Sequence, residues 1–234
     1  MEINCKNIKV IGFDADDTLW VNETYFRVAE DKICKLLSQY ETPNKIDQEL
    51  FKKEISNLPL YGYGVKAFTL SMVEVALELS NYTVSNQTIE AILNIGKDML
   101  NKPVELLDGV EEVLKTLSKK HKLILATKGD LLDQERKLEK SGLTNYFHHI
   151  EVLSDKQGDN YSKLLNHLDI KPSEFLMVGN SLKSDVLPLV NLKAQAIHVP
   201  FHTTWAHEKV TKKEMNGKAF ITINTLKDLL KLIN

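Results

Sequence analysis

Residues 8–19 read IKVIGFDADDTL, and this stretch decides the fold of the chain. Its first half is short, rich in β-branched residues and bounded by charge, which is typical of a buried strand. Its second half places three carboxylates, Asp14, Asp16 and Asp17, within four residues directly after that strand. Such close carboxylates repel one another. The cluster therefore indicates either a bound cation or a solvated acidic turn that caps a helix through Asp17 or Thr18.

The composition is that of a globular protein with one large domain, or with one domain and a sizeable insertion. Of 234 residues, 43% are hydrophobic and 26% are charged, and the formal net charge is -2. This balance argues against a general affinity for nucleic acid or for anionic membranes. No apolar run reaches the length of a transmembrane helix.

The N-terminal residues and the cysteines bear on cellular location. Residues 1–6 lead straight into the first strand and lack the long apolar region of a signal peptide. The two cysteines, Cys5 and Cys34, lie far apart and form neither a metal-type nor a redox pair. We therefore expect a cytoplasmic protein with reduced thiols.

Residues 21–101 have a helical hydrophobic period, unlike the rest of the chain. Ser85 or Asn86 can cap the last of these predicted helices. The breaks between the helices are predicted at residues 41–44, 57–64 and 81–86. The pattern predicts a small all-helical domain inserted after the first motif.

Residues 1–20 and 102–234 alternate between strand and helix patterns. The strands are predicted at residues 8–13, 122–127, 149–152, 174–178, 194–199 and 220–223. This alternation predicts an α/β domain with a doubly wound, mostly parallel sheet that helices cover on both faces. In such a sheet, ligands bind at the carboxyl ends of the strands.

Distinctive polar residues follow the main predicted strands. They are Asp14 and Asp16, then Thr127 and Lys128, then Lys156, and last Asn180 and Asp185. Phosphoryl transfer through a carboxylate requires a nucleophile, a proton shuttle, a hard cation and donors for the phosphate oxygens. The residues at these strand ends are candidates for the nucleophile, the proton shuttle, the cation ligands and the phosphate donors.

This ordered set resembles the haloacid dehalogenase superfamily of hydrolases. The motifs that carry the resemblance are Asp14-Ala15-Asp16-Asp17-Thr18, a strand ending in Thr127, Lys156, and the segment from Gly179 to Asp185. Four such elements in order, each after a predicted strand, span essentially the whole chain. The resemblance implies a Rossmann-like α/β core, with residues 21–101 forming a helical cap, and phosphatase activity.

The resemblance also implies a role for each matching residue. Asp14 would be the nucleophile and Asp16 the general acid and base. Lys156 would restrain the Asp14 carboxylate and add positive charge. Thr127 and the backbone N–H of Lys128 would bind the phosphate oxygens.

A Mg²⁺ cofactor is implied by the same resemblance, because Mg²⁺ takes oxygen ligands. Its ligands would be the carboxylates of Asp14 and Asp185, the backbone carbonyl of Asp16, and Asn180. Many relatives carry Asp where this chain has Asn180. The amide oxygen can still bind the metal, directly or through water, with one charge fewer.

The lysine motif also departs from the family pattern. Relatives often read Lys-Pro where this chain reads Lys156-Gln157. Tyr161 and Leu165 fall where the family pattern expects an aromatic and an apolar residue. They favour Lys156 over Lys163 as the matching lysine.

The expected partner is a small-molecule phosphate ester, without nucleic acid or a membrane. Asp16 favours phosphate esters over carbon–halogen bonds, because the dehalogenase branch lacks an acid there and needs no metal. In the cap, Tyr61 and Tyr63 could contact the substrate through stacking and their hydroxyls, or simply pack within an ordinary loop. Residues 200–208 are expected to form an aromatic loop that packs on the core, since Mg²⁺ does not favour their histidines.

Three other functions are compatible with parts of this pattern. A phosphomutase of the same superfamily would pass the phosphoryl group to a second substrate hydroxyl. A phospho-acceptor signalling domain has similar residues at its strand ends, but it is shorter and has no helical insertion. A protein could also keep the pocket for binding alone. No motif specifies the phosphate ester or the oligomeric state.

Overall fold

The computed structural model describes residues 7–233, so Cys5 and the other N-terminal residues discussed above lie outside it. By their internal contacts, the described residues form two units. The second unit is Thr24–Pro103 together with Gly129–Asp133, and the first comprises the remaining described residues. The predicted domains differ from these two units chiefly at Gly129–Asp133, which the sequence pattern assigns to the α/β domain.

Contacts within the second unit explain why Gly129–Asp133 belongs to it. Lys66 Nζ lies 2.8 Å from Asp130 Oδ1. Gly64 lies so close to this segment that an added Cβ would be 3.1 Å from the Asp130 backbone nitrogen. These interactions connect residues far apart in sequence, so no local pattern could predict them.

The first unit is built on a six-stranded sheet in which every strand is parallel to its neighbours. Its strands are β1 (Val10–Phe13), β2 (Lys122–Lys128), β3 (His149–Leu153), β4 (Phe175–Gly179), β5 (Gln195–His198) and β6 (Ile221–Thr222). Their order is β3-β2-β1-β4-β5-β6. The chain therefore leaves β1 in one direction and later returns to its other side, which puts the predicted crevice at the carboxyl end of β1. The predicted fold class is confirmed.

The second unit is helical. Its helices are α1 (Glu23–Leu36), α2 (Pro43–Tyr61), α3 (Val65–Leu79) and α4 (Asn86–Leu100), of which α1 begins at the boundary residue Glu23. Ser85 caps α4, because its hydroxyl accepts a hydrogen bond from the Thr88 N–H at 3.1 Å. The unit has a core of its own, with Ile33, Leu50 and Met72 among its buried residues.

The predicted break at residues 57–64 is too long. Helix α2 continues through Pro59 to Tyr61 and ends at Gly62, which has φ 71°. Proline removes one N–H, and near the end of a long helix that loss interrupts a single hydrogen bond. Glycine adopts positive φ without steric cost, so Gly62 rather than Pro59 ends the helix.

Helices cover both faces of the sheet. They are α5 (Val110–Leu117), α6 (Leu131–Ser141), α7 (Gly158–His167), α8 (Leu187–Asn191) and α10 (Leu229–Leu232). The short helix α9 (Lys212–Met215) contributes no buried residue. Alternate strand residues enter two separate buried clusters, for example Ile11 and Leu125 on one side and Val10 and Ile124 on the other. Burial on both faces explains the nearly continuous apolar strands.

The structure differs from the predicted helix at residues 185–192. A π-helical turn over Leu182–Val186 comes first, and the short helix α8 follows it. Among the described residues, no helix has both the length and the hydrophobicity needed to cross a bilayer.

Candidate active site

Three charged side chains meet at the carboxyl edge of the sheet. Asp14 follows β1, Lys156 lies between β3 and α7, and Asp185 lies in the π-helical turn after β4. Lys156 Nζ is 2.5 Å from Asp14 Oδ1 and 2.7 Å from Asp185 Oδ1. Lys156 and Asp185 are each 1% exposed and Asp14 is 6% exposed. Residues 142 and 29 positions from Lys156 in sequence thus form one buried ionic cluster.

Burial and the neighbouring charges act in opposite directions on this cluster. It raises the pKa of the Asp14 carboxyl to about 7, although the nearby Lys156 ammonium acts in the opposite direction. Burial alone would lower the pKa of Lys156, but the carboxylates of Asp14 and Asp185 raise it. Lys156 therefore stays protonated. When Asp14 is ionised, the two carboxylates outnumber the single positive charge of Lys156.

Thr18 connects the first motif to the loop after β4. Its hydroxyl donates to Asp14 Oδ2 at 3.0 Å and accepts the Asn180 N–H at 3.0 Å. The same loop is tied to Asp185, whose Oδ2 accepts the Ser181 N–H at 2.9 Å. Gly179 is required beside it, because an added Cβ would overlap the Asp185 carboxylate. These contacts place Asn180 next to Asp14 and Asp185.

The Asp16 carboxylate is held by three donors. Its Oδ1 accepts from Trp20 Nε1 at 2.7 Å and from Lys137 Nζ at 2.6 Å. Its Oδ2 accepts from Gln134 Nε2 at 2.8 Å, and the same amide nitrogen also donates to the Lys128 carbonyl at 2.8 Å. Because both partners of that nitrogen are acceptors, the amide orientation of Gln134 is fixed. Asp16 is therefore fixed separately from the Asp14 cluster.

Asp17 has a structural role at the start of a helix, as predicted by the interpretation of the acidic cluster as a helix-capping turn. Its Oδ1 accepts the N–H of Asn22 at 2.8 Å, and its Oδ2 accepts that of Glu23, the first residue of α1, at 3.0 Å. Asp17 has φ 59°, a left-handed conformation that Asp adopts more readily than most residues. Burial raises its pKa to about 8, against the lowering effect of the Asn22 N–H.

Thr127 and Lys128 are the last residues of β2, the neighbour of β1. Phe13 is paired with Leu125, so Thr127 lies at the same edge of the sheet as Asp14. Thr127 is buried. The Lys128 ammonium donates to Ser184 Oγ at 2.9 Å and to Glu208 Oε1 at 2.7 Å. The predicted phosphate-binding segment is thus anchored by its own side chain.

Tyr61 and Tyr63 belong to the second unit. Tyr61 ends α2, is 44% exposed and donates its hydroxyl to Glu74 Oε1 at 3.0 Å. Tyr63 lies between two glycines of positive φ, Gly62 and Gly64. A role in substrate binding stays a prediction for both tyrosines.

The donor set fits the predicted Mg²⁺ site. Asp14, Asp185, Asn180 and the Asp16 carbonyl can each offer an oxygen atom, the ligand that Mg²⁺ prefers. The surplus negative charge of the two buried carboxylates also favours a cation. In the part of the chain that the structure describes, no group of three or more His, Cys, Asp or Glu side chains could hold a metal. A metal here would therefore depend on Asn180, backbone oxygen and water for its remaining ligands.

Sequence reasoning missed three residues near this site: Gln134, Lys137 and Glu208. Gln134 and Lys137 are three positions apart on α6, which puts them on one face of the helix. That spacing is common in helices and does not identify a site. Residues 200–208 are predicted to form an aromatic loop, but the segment also contains Glu208, a largely buried carboxylate paired with Lys128.

Known proteins are similar to this chain over most of its length. The chain matches the family model of haloacid dehalogenase-like hydrolases over residues 8–192. A curated relative, glyceraldehyde 3-phosphate phosphatase from Pyrococcus furiosus, is 26% identical over 205 residues, which cover 82% of this chain and 80% of the relative.

Solved structures give the same result. A haloacid dehalogenase-like family hydrolase from Xanthomonas campestris is 40% identical, with a TM-score of 0.80 over 85% of this chain and 84% of its own. A 2-haloacid dehalogenase from Pseudomonas syringae has a TM-score of 0.62 at 18% identity, over 97% of this chain and 98% of its own. At this identity, the likeness shows a shared fold alone. The chain belongs to the haloacid dehalogenase-like hydrolases.

Proposed function

We propose that this hydrolase is a Mg²⁺-dependent phosphatase that cleaves a small phosphomonoester through a phosphorylated Asp14. The main support is the arrangement at the end of β1, where Lys156 contacts Asp14 and a second carboxylate, Asp16, is fixed two residues away. The relative named as a glyceraldehyde 3-phosphate phosphatase agrees with this class of reaction.

In the first step, a carboxylate oxygen of Asp14 attacks phosphorus, and the bond from phosphorus to the ester oxygen breaks. Lys156 holds the Asp14 carboxylate in place through its contact at 2.5 Å. Asp16 enters this step as a protonated carboxyl. It donates that proton to the departing oxygen, so that an alcohol leaves rather than an alkoxide, and it is left as a carboxylate. Thr127 and the Lys128 N–H bind oxygens of the phosphoryl group.

In the second step, water attacks the phosphorus of phospho-Asp14. Asp16, now a carboxylate, takes a proton from that water. The bond between phosphorus and the Asp14 oxygen breaks, which releases inorganic phosphate and restores both aspartates. Over the two steps, Asp16 gives one proton and receives one, so the enzyme returns to its starting state.

The Asp14 and Asp185 carboxylates, the Asp16 carbonyl and Asn180 would hold the Mg²⁺ ion. When bound, Mg²⁺ neutralises phosphate charge that would otherwise repel the Asp14 carboxylate.

A phosphate-release assay tests this function. The purified protein would be given p-nitrophenyl phosphate and a set of phosphomonoesters that includes glyceraldehyde 3-phosphate, each with Mg²⁺ or with EDTA. We expect inorganic phosphate that depends on Mg²⁺. Chloride release from 2-chloropropionate without metal would instead indicate a dehalogenase, and an isomerised sugar phosphate without free phosphate would indicate a mutase.

Substitution of Asp16→Asn tests the proton shuttle. Asn cannot donate the proton, so we expect kcat to fall by about 10²- to 10⁴-fold. The rate of the first step should fall more for an alkyl phosphate than for p-nitrophenyl phosphate, because nitrophenolate leaves without protonation. Stopped-flow absorbance should therefore record a burst of nitrophenol followed by slow turnover. A near-native steady-state rate would contradict the assignment.

Substitution of Lys137→Met tests whether the Asp16 carboxylate must be held by its ionic partner. The ion pair at 2.6 Å would be lost, and we expect kcat to fall about 10-fold while KM changes little, as for an interaction that matters only in the transition state. The control is Lys140→Met, at an exposed position of the same helix. Equal kinetics for the two variants would show that Lys137 does not position Asp16.

A further inference from the structure

Glu208 is a largely buried carboxylate whose hydrogen-bond partners lie beside the candidate site. It ends a short 3₁₀ turn, Ala206–Glu208, and its side chain is 12% exposed. Its Oε1 accepts from Lys128 Nζ at 2.7 Å. Its Oε2 accepts from the hydroxyls of Ser181 and Ser184, each at 2.5 Å. A buried charge is tolerated only when it is paired and hydrogen-bonded in this way.

The hydrogen bonds of this cluster are mutually consistent. Ser184 Oγ donates to Glu208 and accepts from Lys128 Nζ at 2.9 Å. Ser181 Oγ donates to Glu208 and accepts the Ser184 N–H at 3.0 Å. Burial by itself would raise the pKa of Glu208, but the Lys128 ammonium and the hydroxyl donors lower it to about 2. Glu208 is therefore a carboxylate at neutral pH.

Each partner of Glu208 adjoins a residue that the proposed function uses. Ser181 follows Asn180, and its N–H donates to Asp185 Oδ2 at 2.9 Å. Ser184 precedes Asp185 within the π-helical turn. Lys128 supplies the backbone N–H assigned to the phosphate. The end of β2 and the loop after β4 are thus connected through one carboxylate. The neighbouring contact of Lys183 Nζ with the His207 carbonyl, at 2.7 Å, further attaches the Glu208 turn to the loop after β4.

We propose that Glu208 is a positioning residue that fixes the metal ligand Asp185 and the phosphate-binding segment at Lys128 relative to each other. This inference rests on the proposed function. Glu208 contacts neither Asp185 nor the backbone of Lys128 directly. It acts through the side chains of Ser181, Ser184 and Lys128. Groups that orient metal ligands usually affect metal affinity as well as stability.

Substitution of Glu208→Gln tests the proposal, because glutamine keeps the shape but removes the charge that pairs with Lys128. Isothermal calorimetry would measure Mg²⁺ binding without any substrate. Activity assays would give the Mg²⁺ concentration for half-maximal rate and the inhibition constant of inorganic phosphate. We expect Mg²⁺ binding to weaken about 10-fold and phosphate inhibition to weaken with it.

Two further variants keep the result interpretable. Glu214→Gln changes an exposed glutamate that caps α9 through Thr211, and it should leave Mg²⁺ binding unchanged. Ser184→Ala removes one hydrogen bond to Glu208 and retains every charge, so it should weaken Mg²⁺ binding less than Glu208→Gln does. If Glu208→Gln does not fold, Ser184→Ala tests the proposal alone. Native Mg²⁺ binding by Ser184→Ala would then contradict the proposal.

The outcomes separate this proposal from the proposed function. Native Mg²⁺ binding by folded Glu208→Gln would overturn the positioning role, even if its melting temperature were lower. A wild-type protein that binds Mg²⁺ but releases no phosphate would contradict the phosphatase assignment and leave the calorimetric test of Glu208 valid. A wild-type protein that binds no Mg²⁺ would overturn both.

Discussion

Substitution of Asp14→Asn is expected to abolish turnover of p-nitrophenyl phosphate in the presence of Mg²⁺, with a loss of at least about 10³-fold in kcat. The amide is a far weaker nucleophile than the carboxylate and cannot form the acyl phosphate. Steady-state release of nitrophenol would measure the loss. Nothing else in the described site replaces Asp14, because Asp185 is 1% exposed and hydrogen-bonded to Lys156 and the Ser181 N–H.

The fold should survive this change. Lys156 would keep its contact with Asp185 at 2.7 Å, so no buried ammonium would be left alone. Circular dichroism and thermal melting should therefore resemble those of the wild type, which separates loss of chemistry from loss of structure. A folded Asp14→Asn protein with more than a few per cent of native activity would contradict the nucleophile assignment.

Substitution of Lys156→Met is expected to give the largest loss of stability at this site. It would leave two buried carboxylates without their shared ammonium, and breaking a buried ion pair in this way typically costs about 3–5 kcal/mol. Proton uptake by Asp14 would offset part of the cost, since burial already raises its pKa to about 7. Urea unfolding would measure the change in the free energy of unfolding, and phosphate release would also fall.

Lys163→Met is the matched control, because Lys163 is an exposed residue of α7 and is the alternative to Lys156 as the lysine of the motif. It should change stability by less than about 0.5 kcal/mol. Equal unfolding free energies for the two variants would remove the central role given to Lys156. Because Mg²⁺ would partly replace the missing charge, it should stabilise Lys156→Met more than it stabilises the control.

The sequence was sufficient to predict that Asp14, Lys156 and Asp185 lie near one another. Parallel strands bring their carboxyl ends to the same edge of the sheet, so polar residues that follow successive strands must converge. The preference for Lys156 over Lys163 also agrees with burial, since Lys156 is 1% exposed and Lys163 is exposed. The catalytic roles of these residues stay predictions until they are tested.

The sequence could not predict the residues that hold this site in place. Lys137 reaches Asp16 across 121 positions, and Glu208 reaches Lys128 across 80. Neither Lys137 nor Glu208 follows a strand end or belongs to a motif with a characteristic spacing. Such pairs depend on how α6 and the turn before α9 pack on the sheet, which local periodicity does not specify. The predicted end of α2 was wrong for a related reason. The helix continues through Pro59, although proline by itself favours a break.

Trapping of the intermediate tests the central claim most directly. Asp16→Asn protein would be mixed with p-nitrophenyl phosphate and Mg²⁺, quenched in acid, and reduced with borohydride, which converts an aspartyl phosphate to homoserine. Peptide mass spectrometry would then locate the change. We predict homoserine at position 14 and at no other aspartate. Release of nitrophenol with Asp14 unmodified, or with the phosphoryl group on another side chain, would contradict the account.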